Sequence, residues 1–263
     1  MPQLGYQRLG DGPPLLILHG LFGSGRNWQS HARRLAEFFD VVTIDLRNHG
    51  QSFHADEMDY SLMAADVERL IGDLDLGACN LLGHSMGGKV AMALALESPQ
   101  TVARLVVADI APVIYRHDHD ELVDAALGLA VDAIGARADA DRELQSAVPD
   151  PGLRAFLLQN LVRDGDNWRW RVNWRAIQRN MRQLTGFVEL ADDWHVDVPA
   201  LFIRGAKSDY VGAAEIEQIE RHFGNAEIAT VDDAGHWLHA ERPQAFIERV
   251  LEFLLPPAER GGD

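Results

Sequence analysis

A Gly-x-Ser-x-Gly motif at residues 83–87 constrains the fold of this chain more than any other sequence feature. Residues 79–82 form a short apolar segment of the kind found in strands, and residues 88–97 are rich in helix formers. A serine held on a tight turn between a strand and a helix exposes its hydroxyl for nucleophilic attack. Small residues flank such a serine because the strand and the helix approach each other closely there. The sequence therefore predicts a nucleophile, Ser85, at a strand-to-helix turn.

Strands and helices alternate along most of the chain. Nearly continuous apolar runs, such as residues 14–18, are typical of strands that are buried on both faces of a parallel sheet. The predicted strands cover 3–9, 14–18, 41–45, 79–82, 102–109, 199–204 and 226–231, and the predicted helices cover 28–39, 61–74, 88–97, 213–223 and 243–254. Ser61 is expected to cap the second helix, with Asp66 on its polar side. The alternation predicts an α/β fold with a mostly parallel, doubly wound sheet.

Residues 110–198 interrupt this alternation. They carry helical patterns, several of them acidic, and no convincing strand. An excursion of this length is too long for a plain loop and must have structure of its own. We expect a helical cap over residues 113–198, inserted after the strand that follows Ser85. The core then comprises residues 1–112 and 199–257, and residues 258–263 form a flexible tail.

The charge and the cysteine content narrow the partners and the location. The chain has 24 basic and 40 acidic residues, a formal net charge of −16, which argues against nucleic acid and an anionic membrane surface as partners. Cys79 is the single cysteine, and no apolar run approaches the roughly 18 residues that span a bilayer. The first residues lack the basic and apolar regions of a signal peptide. We expect a cytoplasmic monomer or homodimer whose partner is a small molecule.

The run from His117 to Glu121 contains residue types that bind metals. Adjacent residues on a helix do not share a face, so the pattern favours a solvated surface over a metal site. We expect neither a metal nor a cofactor.

A serine hydroxyl is a poor nucleophile at neutral pH and needs a base that is oriented by an acid. His236 is the best candidate for the base. It lies in the loop between the last predicted strand and the last predicted helix, behind the small residues Ala234 and Gly235. Such a loop can carry the imidazole over the edge of the sheet. A serine first and a histidine last is the chain order of an α/β hydrolase.

Two carboxylates are candidates for the acid. Asp109 ends the strand after Ser85, and Asp209 follows the next predicted strand. Neighbouring parallel strands lie about 4.8 Å apart, so both carboxylates can reach a histidine above the sheet. Spacing alone slightly favours Asp209.

The tetrahedral intermediate of such a reaction needs backbone donors. The amide of Met86, directly after the nucleophile, is one candidate, and the loop of residues 19–23 supplies the second. Within that loop Leu21 is the first choice and Phe22 the alternative. The turn at residues 45–52 is expected to give mainly structural support. The candidate substrate contacts are Phe22, Trp168 and Trp170, although the pattern favours a core inside the cap over a substrate pocket for the tryptophans.

Six segments together resemble the YbfF-type esterases, a group of α/β hydrolases with a helical cap. The segments are 19–24, 45–52, 83–89, 109–113, 170–173 and 234–241. The resemblance covers nearly the whole chain. It implies a carboxylester or thioester hydrolase, with acyl-CoA and short-chain esters as plausible substrates. It also implies that Asp109 is the acid, because relatives keep an aspartate in its motif while the position matching Asp209 varies.

The leading hypothesis is therefore hydrolysis of carboxylic esters or acyl thioesters through an acyl-enzyme, with Ser85, His236 and Asp109 as the triad. The first alternative is a C–C lyase or a cofactor-free peroxidase on the same scaffold, since fold alone does not separate these chemistries. The second is a ligand-binding protein without catalytic activity.

Overall fold

The structure is a computed structural model that describes residues 3–116, 119–189 and 194–255. The described strands are β1 (Tyr6–Leu9), β2 (Pro14–Leu18), β3 (Asp40–Ile44), β4 (Cys79–His84), β5 (Val102–Ala108), β6 (Leu161–Asp164), β7 (Asn167–Trp170), β8 (Ala200–Gly205) and β9 (Ala226–Val231). Within these ranges, seven strands form one sheet in the order β1-β3-β2-β4-β5-β8-β9. Only β1 runs antiparallel to its neighbour in this described sheet. The predicted α/β fold with a mostly parallel sheet is confirmed.

Helices cover both faces of the sheet. The described helices are α1 (Gln29–Leu35), α2 (Tyr60–Asp73), α3 (Met86–Glu97), α4 (Asp120–Gly128), α5 (Arg137–Leu144), α6 (Pro151–Leu158), α7 (Trp174–Arg179), α8 (Met181–Thr185), α9 (Ala213–His222), α10 (Leu238–Glu241) and α11 (Pro243–Leu254). Helices α2 and α3 pack on one face, and α1 and α11 pack on the other. None of the helices in the described ranges combines the length and the apolar character needed to cross a membrane.

The apolar runs of the central strands have a simple cause. In β2, Leu16 and Leu18 point into the core on the α2–α3 side, whereas Leu15 and Ile17 point into the core on the α1–α11 side. Successive side chains of a strand alternate between faces, so a strand covered on both faces needs apolar residues at every position. All four side chains are fully buried.

The chain between β5 and β8 adds no strand to the main sheet within the described residues. We call residues 113–198 the insertion; it holds helices α4 to α8 and an antiparallel hairpin of β6 and β7. The prediction that this stretch contains no strand is therefore wrong. Gly165, at φ 60°, forms the turn between the two strands. The boundaries of the insertion stay predictions, and the predicted tail at 258–263 lies outside the described residues.

The N-terminal cap of helix α2 lies two residues earlier than expected. The carboxylate of Asp59, not the hydroxyl of Ser61, accepts the hydrogen bond from the Leu62 amide, at 2.8 Å. Asp66 is also not on a solvent face: it is 3% exposed and accepts a hydrogen bond from Arg47 at 2.6 Å. A buried carboxylate of this kind requires a partner, and the guanidinium supplies it.

Candidate active site

Ser85 lies between the last residue of β4 and the first residue of α3, with φ 52° and ψ −120°. A positive φ at a residue other than glycine marks strain that the surrounding structure must hold. A Cβ atom on Gly83 would lie 2.2 Å from the carbonyl oxygen of Gly87, and one on Gly87 would lie 2.3 Å from that of Leu18. The glycines are therefore required because β2, β4 and α3 leave no room for a side chain.

Three side chains form a continuous chain of hydrogen bonds at this turn. His236 lies between β9 and α10; its Nε2 is 3.1 Å from the Oγ of Ser85, and its Nδ1 is 2.8 Å from the Oδ2 of Asp109. Asp109 follows β5, the neighbour of β4, so the sheet itself brings the carboxylate to the serine. The ring of Tyr210 stacks on the imidazole with centroids 3.8 Å apart, which restricts the orientation of the imidazole.

The carboxylate of Asp109 is fully buried and surrounded by donors. One oxygen accepts a hydrogen bond from the Gly205 amide at 2.9 Å. The other accepts from the hydroxyl of Ser208 and from His236. Asp209, which spacing alone favours, is exposed and makes no hydrogen bond to the imidazole. The loop after β8 supplies donors to Asp109 instead of a carboxylate to the imidazole.

The backbone amides near Ser85 divide into two groups. The Phe22 amide donates to the Nε2 of His49 at 3.2 Å and is therefore occupied. The amides of Leu21 and Met86 donate no hydrogen bond within the described residues, and both residues line a cavity at Ser85. These two amides are the ones left for an oxyanion, whereas the amide of Phe22, the alternative donor, is already bonded to the histidine.

Several histidines beside the site are buried and neutral. Burial lowers the pKa of His19 to about 4 and that of His49 and His239 to about 3, and it lowers the pKa of His84 well below its usual value. A neutral imidazole can donate at one nitrogen and accept at the other. His49 does both, since its Nδ1 donates to the carbonyl of Arg47 at 3.0 Å. The loop that carries the candidate oxyanion donor therefore rests on an uncharged ring.

Two cavities meet at Ser85. The smaller has a volume of about 40 Å³ and is lined by residues that include Tyr60, Met86, Lys89, Tyr115, Met181 and Leu184. The larger has a volume of about 300 Å³ and is lined by residues that include Phe22, Trp28, Leu153, Phe156, His236 and Trp237. Leu21, His119 and Tyr210 line both. The serine hydroxyl is thus accessible from two sides that differ in size.

The comparisons with known proteins agree with this geometry. The sequence matches the family model for the alpha/beta hydrolase fold over residues 13–243. The chain belongs to the α/β-hydrolase family. It is 34% identical to esterase YbfF of Escherichia coli strain K12 over 92% of each chain, which confirms the resemblance found in the sequence. It is 38% identical to the sn-1-specific diacylglycerol lipase ABHD11 of Danio rerio, over 94% of this chain and 80% of that one.

A solved structure is also closely similar to this α/β hydrolase. A marine microorganism esterase superposes with a TM-score of 0.93 at 39% identity, and the match covers 97% of this chain and 100% of that chain. The fold, including the insertion, is therefore shared along nearly the whole length.

The tryptophans of the insertion do not line either cavity at Ser85. Trp168 and Trp170 stand at alternate positions of β7 and pack against the insertion's own apolar cluster. The guanidinium of Arg163 lies 4.5 Å from the centroid of the Trp168 ring, and Trp170 packs edge-on against Trp174. The lining of these two cavities therefore gives no support to Trp168 and Trp170 as substrate contacts, and that role stays a prediction. Phe22, in contrast, lines the larger cavity.

Sequence reasoning missed several residues that line the site. Phe156 comes from α6 of the insertion, and no local signal in the sequence marks it. Trp237 is the neighbour of the candidate base, which is the one signal that points to it. His119 was expected on a solvated surface, but it lines both cavities and contacts the edge of the Phe22 ring. Residues 117 and 118 of the same run lie outside the described residues.

The turn after β3 gives structural support, as its residues suggested. The carboxylate of Asp45 accepts hydrogen bonds from the amides of Gly25 and Gln51, at 2.7 and 2.8 Å. The hydroxyl of Ser52 accepts from the amide of Gly5 at 2.7 Å. These bonds fix the segment that follows the loop of residues 19–23 against the end of the sheet.

Proposed function

We propose that this α/β hydrolase cleaves carboxylic esters or acyl thioesters through an acyl-enzyme on Ser85. The relatives named above are esterases and a lipase, and the enzyme class is that of the carboxylester hydrolases. The observation that carries the proposal is the hydrogen-bond chain from Ser85 through His236 to Asp109. Its two distances, 3.1 and 2.8 Å, are within the range required for proton transfer.

In the first half-reaction, the Oγ of Ser85 attacks the acyl carbon while its proton passes to the Nε2 of His236. The carboxylate of Asp109 holds the Nδ1 proton and stabilises the imidazolium that forms. The C–O or C–S bond then breaks, and the imidazolium gives its proton to the leaving alcohol or thiol. The acyl group remains bound to the serine.

The charge that develops on the carbonyl oxygen needs donors in place before the reaction. The amides of Leu21 and Met86 have no other partner among the described residues, and both residues line the smaller cavity at Ser85. One such donor contributes about 10²–10³ in kcat. In the second half-reaction, a water molecule attacks the acyl carbon while His236 takes its proton. The bond between the acyl carbon and the Oγ of Ser85 then breaks, the imidazolium returns the proton to this oxygen, and the carboxylic acid is released.

Trapping of the acyl-enzyme tests the proposal. With p-nitrophenyl acetate in excess over the enzyme, we expect a burst of p-nitrophenol equal to the enzyme concentration. We also expect a mass increase of one acetyl group on the peptide that contains Ser85. Ser85→Ala should abolish both, with a loss of kcat/KM of about 10³-fold or more. Ser30→Ala removes an exposed serine on α1 and serves as the matched control, with full activity expected.

A result without burst and without acetylated Ser85 would contradict the proposal. It would favour the lyase or the peroxidase, which need no acyl-enzyme. A phosphonate serine probe gives an independent measure, because it labels an activated serine whatever the natural substrate is.

A further inference from the structure

We infer that the two cavities at Ser85 have separate roles: the smaller takes the acyl group of the substrate, and the larger takes the leaving group. The inference rests on the proposed function and deepens it, because it predicts an enzyme for short acyl groups carried by bulky apolar alcohols or thiols. Three features of the site support it: the position of the base, the size of the small cavity and the lining of the large one.

The position of the base decides which side the leaving group occupies. The imidazole must hand its proton to the leaving oxygen or sulfur, so that atom must come within hydrogen-bonding reach of the Nε2 of His236. His236 lines the larger cavity and does not line the smaller one. Met86, whose amide is a candidate oxyanion donor, lines only the smaller one. With the carbonyl oxygen at this amide and the leaving atom at the imidazole, the acyl chain points into the smaller cavity.

The volume of the smaller cavity limits the acyl chain. A single water occupies roughly 10–15 Å³ on the scale that gives this cavity about 40 Å³. The space therefore holds about three groups of this size, which corresponds to an acyl chain of about two to four carbons. Two buried side chains from α8, Met181 and Leu184, line it from the side of the insertion.

The far end of the smaller cavity is held by several hydrogen bonds. The ammonium of Lys89, 1% exposed, donates to the carbonyls of Val113, Thr185 and Gly186. The hydroxyl of Tyr60 donates to the carbonyl of Leu184 at 2.5 Å. These bonds fix the wall in place, so a longer chain must break them or displace packed side chains. The polar groups of this wall are directed at protein carbonyls, which suits an unsubstituted acyl chain.

The larger cavity is built for an apolar leaving group. Its volume of about 300 Å³ is several times that of the smaller one, and Leu122, Leu153, Phe156 and Trp237 contribute apolar surface. Each methylene that such a surface removes from water contributes about a fourfold gain in binding. We therefore expect kcat/KM to rise with the length of the leaving group and not with the length of the acyl group.

Two substrate series on the wild-type enzyme test the assignment. One series keeps the leaving group and lengthens the acyl chain, from p-nitrophenyl acetate through butyrate and hexanoate to octanoate. The other keeps the acetyl group and lengthens the alcohol, from ethyl through butyl to hexyl acetate, whose leaving alcohols have nearly equal acidity. We expect kcat/KM to fall by about tenfold or more beyond butyrate in the first series, because overpacking a filled site is costly. In the second series we expect a rise with each added methylene.

Two matched variants, one in each cavity, show which cavity sets the limit on the length of the acyl chain. Met181→Ala enlarges the smaller cavity and should restore kcat/KM for p-nitrophenyl hexanoate relative to acetate, with the alkyl acetate series unchanged in slope. Phe156→Ala removes an aromatic wall of the larger cavity and should flatten the alkyl acetate series, with the acyl-chain limit unchanged. The ratio of kcat/KM between two substrates on one variant is independent of how much of that variant is folded.

The reverse profile would overturn the inference: octanoate accepted as well as acetate, and long alkyl acetates rejected. So would an acyl-chain limit that responds to Phe156→Ala and not to Met181→Ala. These outcomes differ from a failure of the proposed function, in which no ester of either series is cleaved. The two wild-type series decide the question even where a variant does not fold.

Discussion

At the scale of single residues, the environment of Asp109 shows how a carboxylate is selected as the partner of a base. Its two oxygens receive hydrogen bonds from a backbone amide, a hydroxyl and the imidazole of His236, and its side chain is fully buried. These three donors keep the carboxylate in one orientation. The imidazole then has one tautomer, with the proton on Nδ1 and the free pair of Nε2 directed at Ser85.

Replacement of the two candidate acids tests their roles. Asp109→Asn keeps the size of the side chain but turns one carboxylate oxygen into an NH₂ group, which favours the wrong tautomer of His236. We expect kcat to fall by about 10³–10⁴-fold while KM changes little. Asp209→Asn, on an exposed side chain of a neighbouring loop, is the control and should stay within about twofold. Equal activity of the two variants, or a large loss in Asp209→Asn alone, would contradict the assignment.

The buried ring of His49 predicts a pH dependence of stability. Burial lowers its pKa to about 3 in the folded protein, while the unfolded chain has the usual value of about 6.5. Between these values the unfolded state binds more protons, so the free energy of unfolding decreases as the pH falls below about 6.5. His49→Gln keeps an acceptor for the Phe22 amide without a titrating group.

Urea unfolding between pH 7 and pH 4.5 measures this effect. We expect the free energy of unfolding to fall less steeply with acid in His49→Gln than in the wild-type protein. Parallel curves for the two proteins would show that His49 does not contribute to the acid lability.

At the scale of elements, the close approach of β2, β4 and α3 fixes the position of the nucleophile. Gly87→Ala places a methyl group 2.3 Å from a carbonyl oxygen of β2, which belongs to the backbone of a central strand. The strand cannot move without breaking its ladder. We expect a loss of at least about 1–3 kcal/mol in the free energy of unfolding, together with a large loss of activity.

Gly72→Ala provides the matched control in the same kind of element. Gly72 lies near the end of α2, and a Cβ atom there meets no other atom within 4 Å. Alanine costs less backbone entropy than glycine in a helix, so this variant should be more stable by about 0.5–1 kcal/mol. Chemical denaturation measures the free energy of unfolding of both variants. Similar changes in both would mean that the close contact at Gly87 does not determine the stability of this turn.

Most of the fold follows from local sequence patterns, whereas part of the site depends on distant contacts. The strands are recognisable because burial on both faces forces continuous apolar runs, and Ser85 and His236 are marked by the residues next to them. The acid is different, because Asp109 and Asp209 both follow strands within reach of the base. What separates them is a set of donors from Gly205 and Ser208, whose positions only the folded loop defines.

The sequence does contain a signal for the hairpin of the insertion, although this hairpin was not predicted. Asp164-Gly165 is a turn signal, and the alternation of Trp168 and Trp170 has the period of a strand. Aromatic residues at this spacing were interpreted as the core of the cap or, less favoured, as a substrate pocket. In the structure they are partly buried and pack against the insertion's own apolar cluster, so large apolar side chains alone do not identify a binding site.

At the scale of the whole molecule, Lys89 joins the nucleophile helix to the insertion. Its ammonium lies on α3, one turn after Ser85, and donates to the carbonyl of Val113 at the start of the insertion, at 2.8 Å, and to that of Thr185 at the end of α8, at 3.3 Å. The ring of Tyr115 lies 4.8 Å from the same nitrogen. Burial lowers the pKa of Lys89 to about 7, while three carbonyl acceptors match the three hydrogens of the ammonium form.

The two lysines of the chain allow a direct comparison. Lys89→Met keeps the apolar stem but leaves the partly buried carbonyls of Val113 and Gly186 without this donor, so we expect the free energy of unfolding at pH 6 to fall by about 1–3 kcal/mol. Lys207→Met removes an exposed lysine that pairs with Asp233, and its effect should stay below about 1 kcal/mol. Urea unfolding measures both, and a Lys89→Met protein as stable as the wild type would show that the ammonium does not join the two parts.

The ammonium of Lys89 binds the carbonyls of both Val113 and Thr185, and this arrangement also has an evolutionary consequence. The Tyr115 amide donates a hydrogen bond to the Thr185 carbonyl at 2.9 Å, so the chain between them, residues 116–184, is a loop whose two ends are held together. The entropy of closing a loop changes by only about 0.6 kcal/mol when its length doubles. Segments between Tyr115 and Thr185 can thus be gained, lost or exchanged with little effect on the hydrogen bonds between the strands of the main sheet. The part of the insertion that lines the cavities at Ser85 is free to diversify while Ser85, His236 and Asp109 keep their places.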